Sequence, residues 1–218
     1  MKTSKAGNMA KKISKKNRFL FILDPGHGGI NPTKQEYVTS GKRSPKFDNG
    51  FVLYEGVENR EKLKRIMDGM RSVGLDCIDI VNTWRDVPLT KRVEKANKLA
   101  GERECIYVSL HSDAYGNGKD WTSPKGVTVF SFKGSEKSRE VAKIFGDNLK
   151  YEFEDVTNYR GLKESSFYVL RYTKCRAVLL ELGFHTNKYE SQLMITEEWT
   201  QRVVDGVVNS CLQCEKEL

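Results

Sequence analysis

FILDPGHGG, residues 21–29, decides the predicted fold, because an apolar run ends there at Asp24 and Pro25 and a histidine follows between glycines. A run of this length that is apolar on both faces predicts a strand buried within a parallel sheet. His27 is one of three histidines in the chain, and it lies just past the carboxyl end of the strand. Open α/β sheets bind their ligands at that edge. The stretch therefore predicts a buried strand and a candidate ligand site.

The rest of the chain alternates predicted strands with predicted helices. The strands are residues 18–24, 75–81, 105–110, 126–132 and 176–184, and the apolar stripes of the helices cover residues 63–73, 89–100, 141–153 and 199–211. Ser135 is the expected N-cap of the third helix, and Gly74 is expected to end the first. Apolar strands separated by amphipathic helices predict an α/β fold, a single domain with a mostly parallel or mixed central sheet and helices on both faces.

Composition limits the domain organisation and the class of partner. With 218 residues and 38% apolar content, the chain is predicted to form one globular domain, residues 18–218. The net charge is +8, but residues 1–18 hold seven Lys or Arg and no acid, which leaves 30 bases and 29 acids for the rest. The positive charge thus belongs to a basic, flexible tail, residues 1–17, rather than to a nucleic-acid-binding face.

Export, membrane and disulfide signals are weak in this sequence. Only five apolar residues, 19–23, follow the basic tail, which is too short for a secretory signal, and no segment approaches the roughly 20 apolar residues of a membrane span. We therefore expect synthesis in the cytoplasm without a signal peptide. Five cysteines, an odd number, argue against a disulfide framework. Cys211 and Cys214 form a lone C-x-x-C, which lacks the two further ligands of a structural zinc site.

Polar residues at the strand ends indicate the chemistry. His27 and His111 both follow predicted strands, and Glu181 interrupts the apolar run AVLLEL. Two histidines and one carboxylate suit a catalytic zinc, with a second carboxylate left to act as base. The carboxylate ligand is open at this point, because Glu55 and Glu58 both lie at the start of the first helix. Each histidine, taken alone, is also consistent with an ordinary core or surface residue.

Six segments, in order and spacing, resemble one enzyme family: LDPGHGG, EGVEN, PLTKRVEKAN, SLHSDA, RGLKESSFYVLR and AVLLELGFHTN. Over residues 18 to about 210 the chain resembles the zinc-dependent N-acetylmuramoyl-L-alanine amidases, which cut bacterial peptidoglycan. The resemblance implies that His27, Glu55 and His111 bind Zn²⁺ and that Glu181 is the catalytic glutamate. Glu55 is preferred to Glu58 because the family has an asparagine four residues after its ligand, where Asn59 stands.

The implied reaction is zinc-dependent hydrolysis of the amide bond between N-acetylmuramic acid and L-alanine, with Glu181 moving the proton. The chain departs from the family at Arg176, where proline is common, and at His185, where a small or aliphatic residue is common. His185 is a candidate for substrate contact at the cleft mouth, with a plain loop histidine as the alternative. Asp113 is a candidate for orienting His111, and Asn59 for a supporting role near the metal.

The segment 112–126 after the second histidine is short, whereas exported cell-division members of the family often carry a blocking helical insert there. A compact enzyme of this kind resembles a phage endolysin, released to the periplasm or cell wall of an infected cell by a separate lysis protein. The alternatives are a wall-remodelling or spore-cortex amidase, and a non-catalytic phosphate- or wall-binding module that uses the glycine-rich loop. The tail is expected either to make salt-sensitive contacts with anionic wall or membrane surfaces or to be a solvated leader.

Overall fold

The protein is described by a computed structural model covering residues 17–218. Apart from Asn17, the predicted tail, residues 1–17, lies outside the described residues. Asn17 already contacts the folded body, since its side-chain amide donates to the Gly74 carbonyl at 2.6 Å and its own carbonyl accepts from Arg103.

The secondary structure of the described residues alternates strands and helices as the sequence predicts. In chain order the elements are β1 Leu20–Pro25, β2 Ile30–Asn31, β3 Glu36–Tyr37, α1 Glu55–Ser72, β4 Cys77–Asp79, α2 Leu89–Ala100, β5 Cys105–Asp113, β6 Val127–Phe132, α3 Glu136–Phe153, β7 Tyr159–Ser165, α4 Tyr168–Tyr172, β8 Arg176–Phe184, α5 Lys188–Met194 and α6 Glu197–Glu217. The predicted caps are confirmed, because Ser135 accepts a hydrogen bond from Ser138 N and Gly74 adopts φ +79° just after α1.

Within residues 17–218, six strands form one sheet in the order β4-β1-β5-β8-β6-β7. The first four strands run parallel, β6 is antiparallel to β8, and β7 is parallel to β6. Helices α1, α3 and α6 pack on one face of the sheet, and α2 and α4 pack on the other. The predicted α/β class with a mixed, two-sided sheet is therefore confirmed.

The central strands are buried on both faces because neighbouring residues enter different cores. Phe21 and Leu23 pack beneath α1 and α6, whereas Ile22 packs with Val93 and Ala96 of α2. Continuous apolar runs such as β1 and β5 are the sequence signature of this arrangement. Both cysteines of the C-x-x-C motif lie buried in α6 within the first core, and no disulfide occurs among residues 17–218.

The edge strand β7 is the main element that the sequence analysis did not predict. Its residues, YRGLKES, are mostly exposed or half-buried, so they carry no apolar run to mark a strand. Tertiary pairing with β6 stabilises it instead. None of the helices between residues 17 and 218 is both long and apolar enough to span a bilayer.

Candidate metal centre and active site

Strand register brings the candidate site residues to one edge of the sheet. In the register of β1 and β5, Pro25 pairs with Leu110, the residue before His111. In the register of β5 and β8, His111 pairs with Glu181. His27, His111 and Glu181 therefore converge at the carboxyl ends of three adjacent parallel strands, as their positions after predicted strands indicated.

Glu55 reaches the same edge as the first residue of α1. Its backbone N–H donates to the Lys42 carbonyl at 3.0 Å, and the next amide, that of Gly56, donates to the Tyr37 hydroxyl at 3.0 Å. These two contacts satisfy helix N-terminal amides that have no partner within the helix. The positive end of the helix dipole also favours the ionised form of a carboxylate at this position.

Three ligand-type side chains meet around one point. Glu55 Oε2 lies 3.3 Å from His27 Nε2, and Glu55 Oε1 lies 3.0 Å from His111 Nδ1. The imidazole rings are perpendicular, with centroids 4.9 Å apart, and one ligand atom from each of the three residues lies within 4.8 Å of the others. This group of two nitrogens and one oxygen can hold a metal ion, and Glu58, which pairs with Lys62, is not part of it.

One carboxylate oxygen without a hydrogen bond in the described part of the chain supports the fit of this group to a cation. Glu55 Oε2 is buried and has no hydrogen bond of regular geometry to any residue in the range 17–218. A buried carboxylate oxygen without a partner is costly unless a cation neutralises it. The donor set, two imidazoles and a carboxylate, is one that zinc and other divalent transition metals accept.

The electrostatics of the group couple Glu55 to the histidines. Burial by itself would raise the pKa of Glu55, but the hydrogen bond from His111 and the close approach of the His27 ring hold it well below its usual value. Burial by itself would lower the pKa of His111, but the Glu55 carboxylate raises it above its usual value. Glu55 is therefore ionised at neutral pH, which is the state that binds metal.

Glu181 lies beside this group in a different environment. Its Oε2 atom is buried and has no hydrogen-bond partner among the described residues. Burial, together with the Glu55 and Asp113 carboxylates, raises the pKa of Glu181 to about 8, although His111 and Lys42 oppose the shift. A carboxyl group with a pKa near the working pH can both accept and return a proton, which is the property required of a general acid–base.

The loop after β1 turns at the histidine itself. His27 adopts φ +65°, a left-handed conformation that is strained for any residue with a Cβ. The positive φ belongs to His27 and not to the flanking glycines, which instead permit close packing. A Cβ on Gly26 would lie 2.2 Å from the His111 ring, and a Cβ on Gly28 would lie 2.3 Å from Val38 Cγ2.

Arg92 and Asp24 fix this loop from below, and the sequence analysis missed both. The two side chains form a fully buried ion pair, and Arg92 also donates to the Pro25 carbonyl at 2.8 Å and to the His27 carbonyl at 3.1 Å. Asp24 additionally accepts hydrogen bonds from the hydroxyls of Tyr107 and Ser109. A charged residue within an apolar strand, here Asp24, is the signal that could have found the pair.

Asp24→Asn is expected to destabilise the fold by about 3–5 kcal/mol at pH 7, because it leaves the buried Arg92 charge without its partner. Arg92 and two hydroxyl donors outweigh burial and lower the pKa of Asp24 from 3.8, so its stabilisation is present above that pH and is lost as the pH falls further. The difference in the free energy of unfolding between Asp24→Asn and the wild type should therefore narrow below about pH 4. Urea unfolding of both proteins, from pH 7 to below pH 4, measures this difference.

The matched control for this variant is Asp86→Asn, which removes the second carboxylate near Arg92, 3.4 Å away and 38% exposed. Exposure limits the expected cost of this change to about 1 kcal/mol. If the two variants lost the same free energy of unfolding, the assignment of Asp24 as the buried partner of Arg92 would be contradicted.

Gly56→Ala is expected to reduce metal affinity by at least about tenfold. Alanine normally stabilises a helix relative to glycine by up to about 1 kcal/mol, but a Cβ on Gly56 would lie 1.9 Å from the Gly28 carbonyl oxygen. The clash involves the backbone of the loop that carries His27, so α1 must move away from that loop. Gly69→Ala in the same helix would meet only valine methyl groups, at 3.1 Å or more, and should retain the metal. Metal titration of both variants provides the measurement.

The three remaining candidates occupy supporting positions. Asn59 is buried and donates to the Gly26 carbonyl at 3.4 Å, which places it behind the histidine loop. Asp113 accepts a hydrogen bond from the Ala114 amide at 2.8 Å and makes none with His111 in the described structure. The expectation that Asp113 orients His111 is therefore not met; Glu55 occupies that position.

His185 lies in the turn between β8 and α5, as the loop-histidine alternative expects, but it is buried and not at the cleft mouth. Its side chain is 1% exposed, its Nδ1 atom lies 2.9 Å from Ser112 Oγ, and the same atom lies 4.0 Å from Glu55 Oε2. The cause is that the chain after β8 folds back into the protein, where the His185 amide donates to the Asp113 carbonyl. His185 thus packs against the Glu55 carboxylate.

Sequence comparisons place the chain among peptidoglycan enzymes. The family model described as N-acetylmuramoyl-L-alanine amidase, Amidase_3, matches residues 21–213. The chain is 28% identical to uncharacterized protein YqiI of Bacillus subtilis, covering 86% of this chain and 80% of YqiI. It is 25% identical to the amidase LytC of the same organism, covering 86% of this chain and 34% of LytC. The chain thus spans most of one relative and about a third of the other.

Solved structures share the fold. The N-acetylmuramoyl-L-alanine amidase of Clostridium difficile 630 superposes with a TM-score of 0.76 at 23% identity, covering 92% of this chain and 98% of that one. The catalytic domain of CD27L endolysin, which targets Clostridia difficile, superposes with a TM-score of 0.62 at 21% identity, covering 88% and 97% of the two chains.

Proposed function

This chain belongs to the N-acetylmuramoyl-L-alanine amidase family, and from that premise we propose that it hydrolyses the amide bond between N-acetylmuramic acid and L-alanine in peptidoglycan. The observation that carries the proposal is the convergence of His27, Glu55 and His111 around one point, with Glu181 paired beside His111 in the sheet. A phosphate- or wall-binding module does not need a buried carboxyl group whose pKa is raised to about 8.

We propose zinc as the metal, held by His27, Glu55 and His111. Three protein ligands of N and O type leave a coordination position open, which is typical of catalytic rather than structural zinc sites. Zinc, when bound, polarises the amide carbonyl and lowers the pKa of water to roughly 7.

The residues of this chain supply the proton transfers. In its ionised form, Glu181 accepts a proton from the attacking water as the water oxygen bonds to the carbonyl carbon. The protonated Glu181 then donates that proton to the alanine nitrogen as the carbon–nitrogen bond breaks. The products are a free lactyl carboxylate on the sugar and a peptide with a new amino terminus. The two nearby carboxylates, Glu55 and Asp113, raise the proton affinity of Glu181 for the second step.

Digestion of purified peptidoglycan tests this function. The protein should release peptides with new alanine amino termini, and a chelator should abolish the release until zinc is restored. Amino-terminal labelling followed by mass spectrometry detects the product. Reducing sugars as the sole new ends would indicate a glycosidase and refute the amidase assignment.

We further propose an endolysin-like role in cell lysis. It is supported by the short connection between β5 and β6, in which the described structure has no helix that could block the site. Attraction of the basic tail, residues 1–17, to anionic wall polymers, weakened by salt, is consistent with this role. Lysis of cells that produce the protein should then require a second, membrane-permeabilising protein.

A wall-remodelling role is the second candidate, favoured by relatives named as cell wall amidases, such as LytH of Staphylococcus epidermidis, which is 25% identical to this chain. Slow, localised cleavage without lysis when both proteins are present would favour remodelling.

A further inference from the structure

A cavity of about 470 Å³ lies beside the candidate active site, and Asp113 is the one candidate site residue discussed above that lines it. Its lining includes Asp113 at the end of β5, Lys125 before β6, Arg160 of β7 and Phe184 at the end of β8. All four positions lie at or next to the sheet edge that carries the metal-binding group. A molecule bound at that group can therefore extend into this cavity.

The cavity lies on the Glu181 side of the centre, away from His27. Strand β8 has β5 on one side and β6 on the other, and Glu181 pairs with Thr128 of β6. The next strand, β7, pairs Tyr159 with Val127, so Arg160 lies two strands beyond Glu181. Two strand spacings place the backbones of Glu181 and Arg160 about 10 Å apart. His27 lies in the loop after β1, which is two strands from β8 on the side opposite to β7.

Two cations with no acidic partner line this cavity. The Arg160 guanidinium lies over the Phe184 ring at 5.0 Å and donates to the Lys125 carbonyl at 3.3 Å, and it forms no ion pair with any residue from 17 to 218. The Lys125 ammonium lies over the Tyr189 ring at 5.9 Å and likewise has no acidic partner in that range. Asp113 is the single acid among the lining residues; it accepts the Ala114 amide and interacts with Arg160 through its charge without forming an ion pair.

This arrangement suits a carboxylate. Arginine presents a planar set of donors that matches two carboxylate oxygens, and its stacking on an aromatic ring fixes the plane of the guanidinium. Because Arg160 donates one side-chain hydrogen bond among the described residues, to a carbonyl, most of its donors are free for a ligand.

We propose that this cavity binds the stem peptide of the substrate, with Arg160 pairing with the free α-carboxylate of the second peptide residue. The proposal rests on the amidase function proposed above. Glu181 must protonate the alanine nitrogen, so the peptide leaves from the Glu181 side of the scissile bond, which is the side of the cavity. Two extended residues span about 7 Å, and the arginine side chain covers the remaining distance to the carboxylate.

The test compares two matched substrates, N-acetylmuramoyl tetrapeptides that carry either an α-carboxylate or an α-carboxamide on the second residue. The wild-type protein should have a KM about tenfold lower for the carboxylate form, the usual worth of one charge-assisted pair at a partly exposed site. Arg160→Gln should remove this preference by raising the KM for the carboxylate form alone, with kcat retained. Arg139→Gln, which alters an exposed arginine paired with Glu164, is the matched control and should keep the preference.

The outcomes separate this proposal from the function on which it rests. If the wild type cleaves both substrates with equal KM, or if Arg160→Gln weakens both equally, the carboxylate assignment is wrong while the amidase function stands. A purely structural role of Arg160 on the Phe184 ring would give the second of these results. If the wild type cleaves neither substrate nor intact peptidoglycan, the amidase function itself is refuted, and this inference with it.

Discussion

Glu181→Gln is expected to lower kcat by roughly 10²–10⁴-fold, the usual contribution of a positioned acid–base group. Glutamine preserves the size of the side chain but can neither accept nor return the proton. The metal content should stay at the wild-type value, because His27, Glu55 and His111 are untouched. Amide cleavage and metal content, measured on the same preparation, provide the test.

The stability of the same variant separates catalysis from a structural role. Burial raises the pKa of Glu181 from 4.5 to about 8, so in metal-free protein the folded state binds more protons than the unfolded state between these values. The stability of the wild type should therefore fall as the pH rises through this range, and Glu181→Gln should lack this fall. A variant that is fully active, or one that melts well below the wild type at pH 8, would contradict the assigned role.

Glu164→Gln is the matched control for Glu181→Gln. Glu164 lies on β7 and pairs with Arg139 at the surface, so its replacement removes a carboxylate of the same size outside the site. Its activity and metal content should both remain within about twofold of the wild type, because exposed ion pairs contribute little.

Glu55→Ala should reduce metal binding and activity together, which distinguishes it from Glu181→Gln. The change removes one of the three proposed protein ligands and also the carboxylate that contacts both His111 and His27. Metal affinity should fall by at least about 10²-fold, more than the loss typical of a supporting residue. Excess metal should restore part of the activity, because the two histidines remain. Titration with zinc under activity readout measures both effects.

Glu58→Gln is the control for the ligand assignment, since Glu58 lies one helical turn after Glu55 and pairs with Lys62 at 2.9 Å. This variant should keep its metal and its activity. If Glu58→Gln lost the metal and Glu55→Ala kept it, the ligand would have been assigned to the wrong glutamate.

The sequence by itself determined the class of the central sheet and five of its six strands. The runs that became β1, β5 and β8 are apolar on both faces, and such runs are stable only inside a sheet covered by helices on both sides. The positions of His27 and His111 directly after such runs were enough to place them at one edge. The choice of Glu55 over Glu58 came from family resemblance, because two acids in one helical turn are equivalent in pattern.

Tertiary structure alone decided which polar groups pair across the fold. The sequence does not indicate that Arg92 of α2 reaches Asp24, that His185 packs against Glu55, or that Arg160 stacks on Phe184. Each contact joins segments far apart in the chain, so its energy depends on strand order and helix placement rather than on local spacing. The edge strand β7 follows the same rule, since its residues have no apolar pattern and form a strand only where β6 offers its free edge.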